Sequence, residues 1–468
     1  MASLKIHEQC KVGPPSATTT LLSLPLTFFD ILMLRLAPIE QIFFYSLPPS
    51  HSDPCSFLNK VTPKLKTSLS LTLQHFLPLA GNIVWPSDSP KPIIHFNPDG
   101  DYGVSFVVAQ CDDANFNRIL EHNSPCDAIQ SRAFVPHLET NYSFASVISF
   151  QITLFPNSGF SIGITANHVV IDGKSLTMFI NAWASLCKTE EFPTLTPDLE
   201  PLFNREIIKD PNDLDIMSTN NWIENLPNIQ KGNERSLKNF PSEPKLENSV
   251  RATFELTRED LDKIKKTVLA KWDVLDRGES KPQTLSSFVV TCAYVLVCVA
   301  KAIQGVERER DKFCFMFAVD CRERLKPPIP NNYFGNCVWT HFLDMQPMDF
   351  IKEEGLFYVA KSIYEKIKMI DEKGVFVGGE YWFSKYISYA SQGIEAIAVL
   401  MSNRFGVYGS DFGWGRPAKV EITSADKSLT IGLAESKDMR GGVEVGLVLN
   451  KRVMDLFTTL FHEGLSMP

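Results

Sequence analysis

GFSIGITANHVVIDGKS, residues 159–175, holds two catalytic signatures in seventeen residues. Gly159–Gly163 spells G-x-S-x-G, the elbow that carries the nucleophile of many serine hydrolases. His168–Gly173 spells H-x-x-x-D-G, an acyltransferase pattern. An elbow needs a strand, then a sharp turn holding the serine, then a helix. Ser161 lacks that setting. The turn "PNSG" precedes it, and "ITANHVV" after it continues as strand. Phe160, Ile162 and Ile164 alternate onto one face and leave Ser161 on the other. His168 is better placed. It follows the strand run 160–166, and Asp172-Gly173 is turn chemistry just before a run in which Leu176, Phe179, Ile180 and Trp183 recur at helical spacing. A histidine on such a loop can be aimed into a cleft. The competing reading is a hydrogen-bonded surface histidine, with Asp172 forming the turn or capping the helix.

Outward from this stretch, the spacing predicts strands at 42–47, 150–155 and 160–166, a helical stretch over 58–76 and a helix over 175–187. Leu21–Phe29, broken by Pro25, is not expected to be one regular element. From Lys188 to Val250 the chain turns polar and proline-rich, which predicts a long crossover. Beyond it we expect a strand at 249–256, a helix at 258–269, a buried helix from Ser286 and a strand at 313–319. The expected fold is α/β in two lobes of about equal size: 1–187, a crossover 188–250, and 251–468.

The bulk numbers restrict function. The chain has 468 residues, 44% apolar and 21% charged, enough for large cores. Its net charge of −8, with no long Lys/Arg run, argues against nucleic acid. The longest apolar run, Phe288–Ala300, is thirteen residues, short of the ~20 that span a bilayer, so a core helix is expected and no membrane. Met1–Cys10 has no charged-then-apolar leader, and ten scattered cysteines form no CxxC pair. Both features predict reduced thiols in the cytosol.

Two further loops stand out. Asp411-Phe412-Gly413-Trp414-Gly415 flanks a tryptophan with glycines, and Tyr333-Phe334-Gly335-Asn336-Cys337 follows "KPPIPNN". Each alone reads as a tight turn beside packed aromatics. In the order HxxxDG, YFGNC, DFGWG, together with "LPLTFFD", "LKTSLSLTLQHFLPLAGNI" and "VDCRERL", they resemble the plant BAHD acyl-CoA-dependent acyltransferases along the whole chain. YFGNC with "VRATFELTREDLDKIKK" resembles the subgroup that malonylates anthocyanins, flavonoids and other phenolic glucosides.

The resemblance implies two lobes like chloramphenicol acetyltransferase with an active-site channel between them. It implies malonyl-CoA as co-substrate, no bound cofactor or metal, a phenolic glucoside acceptor and a monomer. It makes His168 the general base, whose near-neutral pKa suits taking the acceptor's proton. It makes Asp172 structural, paired with Arg322, and Asp411 structural within DFGWG along with Gly413, Trp414 and Gly415. For CoA it points to Lys263 and Lys265, whose competing reading is a solvated Lys-rich helix face, and to Ser286 and Ser287, where a helix N-terminus offers free N–H groups. The malonyl carboxylate needs a cation. Arg251 and Lys174 both qualify, and the sequence does not choose between them; Arg404 is a third candidate, read first as an acceptor-side or structural residue. Three other readings stand beside this one: the same family with an acetyl or aromatic donor, an α/β-hydrolase built on Ser161, and a non-catalytic binding protein of the same fold.

Overall fold

A computed structural model of the chain describes all residues except 1–2, 16–20, 101, 190–193, 212, 225–234, 240–245, 277–280, 308–312, 346–349, 393, 428, 439 and 467–468. Parts of the expected crossover thus lie outside the described residues.

The apolar runs that alternate at period two form two large sheets. The first has six strands, in the order Leu4–Val12, Val104–Cys111, Ile148–Phe155, Gly159–Ala166, Ile39–Ser46 and Lys419–Ile422. The second has seven: Val338–Met345, Phe313–Asp320, Glu395–Leu400, Thr430–Glu435, Val443–Asn450, Ser249–Leu256 and Cys126–Asp127. A four-stranded sheet joins Leu22–Pro25, Ile93–Phe96, Asn82–Val84 and Phe144–Ser146. The architecture is α/β, with a large sheet and packed helices in each half.

The chain cuts at 188 and 250 do not separate the sheets. Lys419–Ile422 crosses back to pair with Ile39–Ser46 in the first sheet, and Cys126–Asp127 pairs with Ser249–Leu256 in the second. Each half lends the other a strand, so the two share backbone hydrogen bonds as well as side-chain contacts. The crossover is also less linker-like than its composition predicts. It contains a helix, Leu214–Glu224, that buries Trp222 completely and packs on the short helix Phe28–Leu32. The indole Nε1 of Trp222 donates to the Ile31 carbonyl at 2.7 Å. A polar segment with one fully buried tryptophan is anchored, because burying that ring is worth a few kcal/mol.

Helix Gly173–Lys188 lies against helix Thr62–His75, its face of Leu176, Phe179, Ile180 and Trp183 fully buried, as the spacing predicts. In the second half Ser287–Glu307 is sandwiched between Gly355–Lys373 and Lys451–Ser466. The apolar character of this helix extends beyond the thirteen-residue run. Ser287–Val306 is long and apolar enough to cross a membrane, yet 78% of its most apolar window is buried inside the protein. Its length and hydropathy come from being a core helix enclosed on all sides.

Candidate active site

The strand Gly159–Ala166 settles the position of Ser161. Ser161 pairs in register with Phe44 on one side and Thr153 on the other, in the middle of a six-stranded sheet. It is fully buried, and its Oγ has no hydrogen-bond partner among the described residues. A nucleophile elbow is absent there.

His168 lies two residues past the end of the same strand, half-buried in the turn that leads to Asp172. Its Nδ1 is shut away from solvent with no hydrogen-bond partner among the described residues. Burial pushes the imidazole pKa below the ordinary histidine value, while its local hydrogen bonds and the Asp172 carboxylate pull the other way. The ring is therefore held as neutral imidazole near neutrality, the form that accepts a proton.

Asp172 is committed elsewhere. It is the N-cap of helix Gly173–Lys188, and its Oδ1 accepts from the Ser175 N–H at 2.8 Å. Its Oδ2 accepts from the Cys337 N–H at 3.1 Å and lies 2.9 Å from Arg322 Nη2. Both partners of that ion pair are buried, Arg322 at 0% and Asp172 at 1% side-chain exposure. Arg322 also holds Asp320 at 3.1 Å, and its Nη2 donates to Ser175 Oγ and to the carbonyls of Tyr333 and Gly335. The carboxylates around it raise the arginine pKa against the cost of burial.

The loop Tyr333–Cys337 closes on this assembly. Asn336, fully buried, donates through Nδ2 to the His168 carbonyl at 2.7 Å and to Asp30 Oδ1 at 2.9 Å. Asp30 also accepts from Thr27 N and Thr27 Oγ1, each at 2.8 Å, in the capping box of helix Phe28–Leu32. Arg205 of the crossover donates to the Tyr333 hydroxyl at 2.6 Å and to the Phe334 carbonyl at 3.0 Å. It fills the space beside Gly335, where a Cβ would come within 1.8 Å of the guanidinium; with φ +149° as well, glycine is the residue that fits. Three segments far apart in sequence thus converge on one loop. Asp30, Arg205 and Asn336 were not singled out by the sequence reading, although Thr27-x-x-Asp30 is a capping signature legible in "LTFFD" and Asn336 belongs to the YFGNC run.

The other candidates fall at different distances from this centre. Lys174 lies 3.2 Å from Asp320 and donates to Asn331 at 2.8 Å. It lines a cleft of about 420 Å³ walled by Met178, Asn181, Pro197–Leu199, Tyr333 and Phe405, so both halves and the crossover contribute. Arg404 is exposed on a loop whose Met401 and Phe405 press on Gly173. Arg251 is a correction. It is 3% exposed, pairs with Asp426 and lies 3.3 Å from Glu421, inside a cluster that includes Arg132, Glu40 and Lys419. A guanidinium already facing two buried carboxylates has no charge left for a third.

Ser286 is exposed and its Oγ accepts from the Val289 N–H at 3.3 Å, capping the core helix Ser287–Glu307, where Ser287 is the first residue. Phe288 of that helix meets Phe317 with ring centroids 5.8 Å apart. Phe317 is three residues, about 10 Å of strand, from Asp320, so this helix N-terminus opens at the same end of the sheet as the His168 loop. Lys263 is exposed, and Lys265 is half-buried, 3.1 Å from Asp262, both on the neighbouring helix Arg258–Leu275.

Asp411 sits far from the histidine. Its Oδ1 accepts from the Gly413 and Gly415 N–H groups at 2.9 Å each, and its Oδ2 from Lys188 Nζ at 2.6 Å. Phe412 meets Trp183 edge-on at 5.0 Å, and Trp414 meets Phe160 at 6.0 Å. Lys188 ends the sixteen-residue helix that Asp172 begins, about 24 Å away. DFGWG therefore pins a turn of the second half onto the first and touches no reacting group near His168.

The Transferase family model matches residues 2–463. The chain is 40% identical to phenolic glucoside malonyltransferase 1 of Arabidopsis thaliana over 99% of its length and 98% of that protein. It is 38% identical to the malonyl-CoA:anthocyanidin 5-O-glucoside-6''-O-malonyltransferase of Arabidopsis thaliana, with 99% of each covered. The solved structure of vinorine synthase superposes with a TM-score of 0.68 at 21% identity, covering 97% of this chain and 96% of that one. A family match that runs nearly end to end, on a fold whose loops converge on His168, makes this chain a member of the BAHD transferase family and an acyltransferase.

Proposed function

We propose that the protein transfers a malonyl group from malonyl-CoA to a sugar hydroxyl of a phenolic glucoside, with His168 as general base. The observation that carries the reading is His168 itself: a neutral, half-buried imidazole on a loop clamped from both halves, with Asp172 fully engaged elsewhere. The two malonyltransferases named above, similar to this chain at 38–40% identity, support the donor and the acceptor class.

A thioester carbonyl needs little activation. As the sugar oxygen attacks it, Nε2 of His168 takes the hydroxyl proton. The tetrahedral oxyanion collapses, the C–S bond breaks, and the departing CoA thiolate takes the proton back from the imidazolium. No acyl-enzyme is needed, and the buried thiols suit none: burial raises the pKa of Cys321 and Cys337. All ten cysteines are unpaired, which fits a cytosolic setting. The exposed cap at Ser286, with Ser287 and the Lys263/Lys265 helix beside it, is the region we assign to the CoA phosphates.

The test offers malonyl-CoA, acetyl-CoA and coumaroyl-CoA against a panel of phenolic glucosides and reads product masses. The expected result is one malonyl group added to the sugar by wild type and at least ~100-fold less by His168→Ala. A His168→Ala protein that folds and keeps its turnover would refute the base. A wild type that prefers acetyl or coumaroyl donors would refute the malonyl assignment.

A further inference from the structure

We propose that Asn336, held by Asp30, is the positioning residue that fixes the tautomer of His168, so that Nε2 is the nitrogen free to take the acceptor's proton. The proposal rests on His168 being the base. For Nε2 to accept a proton, the neutral ring must carry its own proton on Nδ1, and a partner at Nδ1 decides that. Proteins that use a histidine base commonly supply a carboxylate there. Here the nearest candidate, Asp172, is occupied by Ser175, Cys337 and Arg322.

Two atoms are left over, and they are complementary. His168 Nδ1 and Asn336 Oδ1 are both buried, and neither has a hydrogen-bond partner among the described residues. The Asn336 amide cannot be turned over at no cost. Its Nδ2 already donates to the Asp30 carboxylate at 2.9 Å and to the His168 main-chain carbonyl at 2.7 Å, and both of those groups are acceptors. Its main-chain N–H also donates to Asp30 Oδ1, at 3.3 Å. Asp30 is in turn fixed by the two Thr27 donors. The amide orientation is therefore set from behind by a carboxylate that never touches the histidine. The oxygen left over by that choice belongs to the side chain that already grips the His168 backbone. With Nδ1–H as the donor and Asn336 Oδ1 as the acceptor both orphans are satisfied at once, and a side-chain hydrogen bond with Asn336 is among the influences on the ring. An amide in this place orients the imidazole without adding a negative charge beside it. Burial still holds the ring pKa below the ordinary histidine value, although the Asn336 contact itself pulls it upward.

The experiment is ¹⁵N NMR of histidine-labelled enzyme at pH 8 with no donor bound. The His168 signals are identified by their loss in His168→Gln, and kcat and KM are measured on the same proteins. Wild type is expected to show His168 protonated on Nδ1. Asn336→Ala is expected to shift the ring toward the Nε2–H form and to lower kcat about 10- to 100-fold, with KM for the acyl donor changed less than about 3-fold. Asp30→Asn, which keeps the size of the side chain but removes the charged one of the two acceptors that orient the amide, is expected to do the same more weakly. It serves as the arm to read if Asn336→Ala does not fold. A wild type with the proton on Nε2 would overturn the proposal. So would an Asn336→Ala or Asp30→Asn protein that keeps the wild-type tautomer and kcat within about 2-fold, since the His168 main chain would then suffice to hold the ring. The tautomer is read without substrate, so a wrong donor or acceptor class leaves this test standing.

Discussion

Asp172→Asn separates two roles that sequence alone cannot. Asparagine caps a helix about as well as aspartate, so the bond from the Ser175 N–H survives, but its NH2 then stands where Oδ2 accepted from the Cys337 N–H, and that bond is lost. Also lost is the negative charge 2.9 Å from Arg322, with both groups out of solvent. Removing one partner of a buried pair costs about 3–5 kcal/mol. Arg322 keeps Asp320 at 3.1 Å and three neutral acceptors, which offsets part of that, leaving about 2–3 kcal/mol. For a chain of 468 residues the unfolding entropy is about 1 kcal/mol/K, so the melting temperature should fall by about 2–3 °C. Asp172→Ala loses the cap as well, about 1 kcal/mol more. Calorimetry and urea unfolding measure the stability, and kcat/KM per folded molecule measures the chemistry. The expected pattern is a loss of both, with part of the stability returning in the double variant Asp172→Asn/Arg322→Met, where no charge is stranded. A fully stable Asp172→Asn whose single defect is a large drop in kcat would refute this reasoning and point to Asp172 acting on the imidazole.

Ser161→Ala should keep near-wild-type turnover, because its hydroxyl is buried in mid-strand without a partner among the described residues; loss of activity in a folded variant would revive the hydrolase reading. Gly413→Ala and Gly415→Ala, each at φ +100°, should each cost about 1–3 kcal/mol of stability and leave kcat/KM of the folded fraction unchanged, read by unfolding curves and assays at low temperature. The acid limb of kcat/KM should lie below pH 6.5, because burial lowers the His168 pKa and the base works unprotonated; a limb above 7 would contradict it. His341, 2% exposed and with its pKa pushed down to about 4, is neutral when folded and charged when unfolded between pH 4 and 6.5. Its contribution is therefore present above pH 6.5 and is lost as pH falls toward 4, up to about 3 kcal/mol. His341→Phe should flatten the stability–pH curve in that window, measured by urea midpoints.

What the sequence made legible followed from periodicity and punctuation. The strand 160–166, the helix after Asp172 and the core helix after Ser286 all stand where alternation, helical spacing and small polar caps placed them. The crossover was only half legible. Pro and Asp mark it as irregular, but burial of Trp222 depends on a partner, Phe28–Leu32, almost 200 residues earlier, which no local pattern encodes. The lending of Lys419–Ile422 and Cys126–Asp127 between sheets is hidden for the same reason, since two- and four-residue strands carry almost no period. Asp30, Arg205 and Asn336 act through contacts 128 to 306 residues apart in sequence, so their convergence belongs to the tertiary fold.

The cation for the malonyl carboxylate shows what kind of information is missing from a sequence. An arginine written in a strand gives no sign of whether its charge is spent. Arg251 is spent: Glu421 and Asp426 surround it, and a donor carboxylate brought there would meet like charge. Lys174 differs. Its carboxylate partner, Asp320, also has Arg322 at 3.1 Å, so Lys174 can turn to a new anion without stranding Asp320. Lys174 lies in the first turn of the helix that Asp172 caps and lines the cleft shared by both halves. Arg404 is exposed on a loop that touches Gly173, where solvent weakens any pair it forms. The expected order of effect on donor choice is therefore Lys174, then Arg404, then Arg251. Lys174→Gln should cut kcat/KM for malonyl-CoA about 10- to 100-fold, about 1–3 kcal/mol for a half-exposed charge pair, and leave acetyl-CoA within about 3-fold. Arg404→Gln should shift the malonyl-to-acetyl ratio less, and Arg251→Gln should lower stability without changing the ratio. Equal losses for both donors in Lys174→Gln would mean that the lysine supports the loop through Asp320 and Asn331 and does not read the carboxylate.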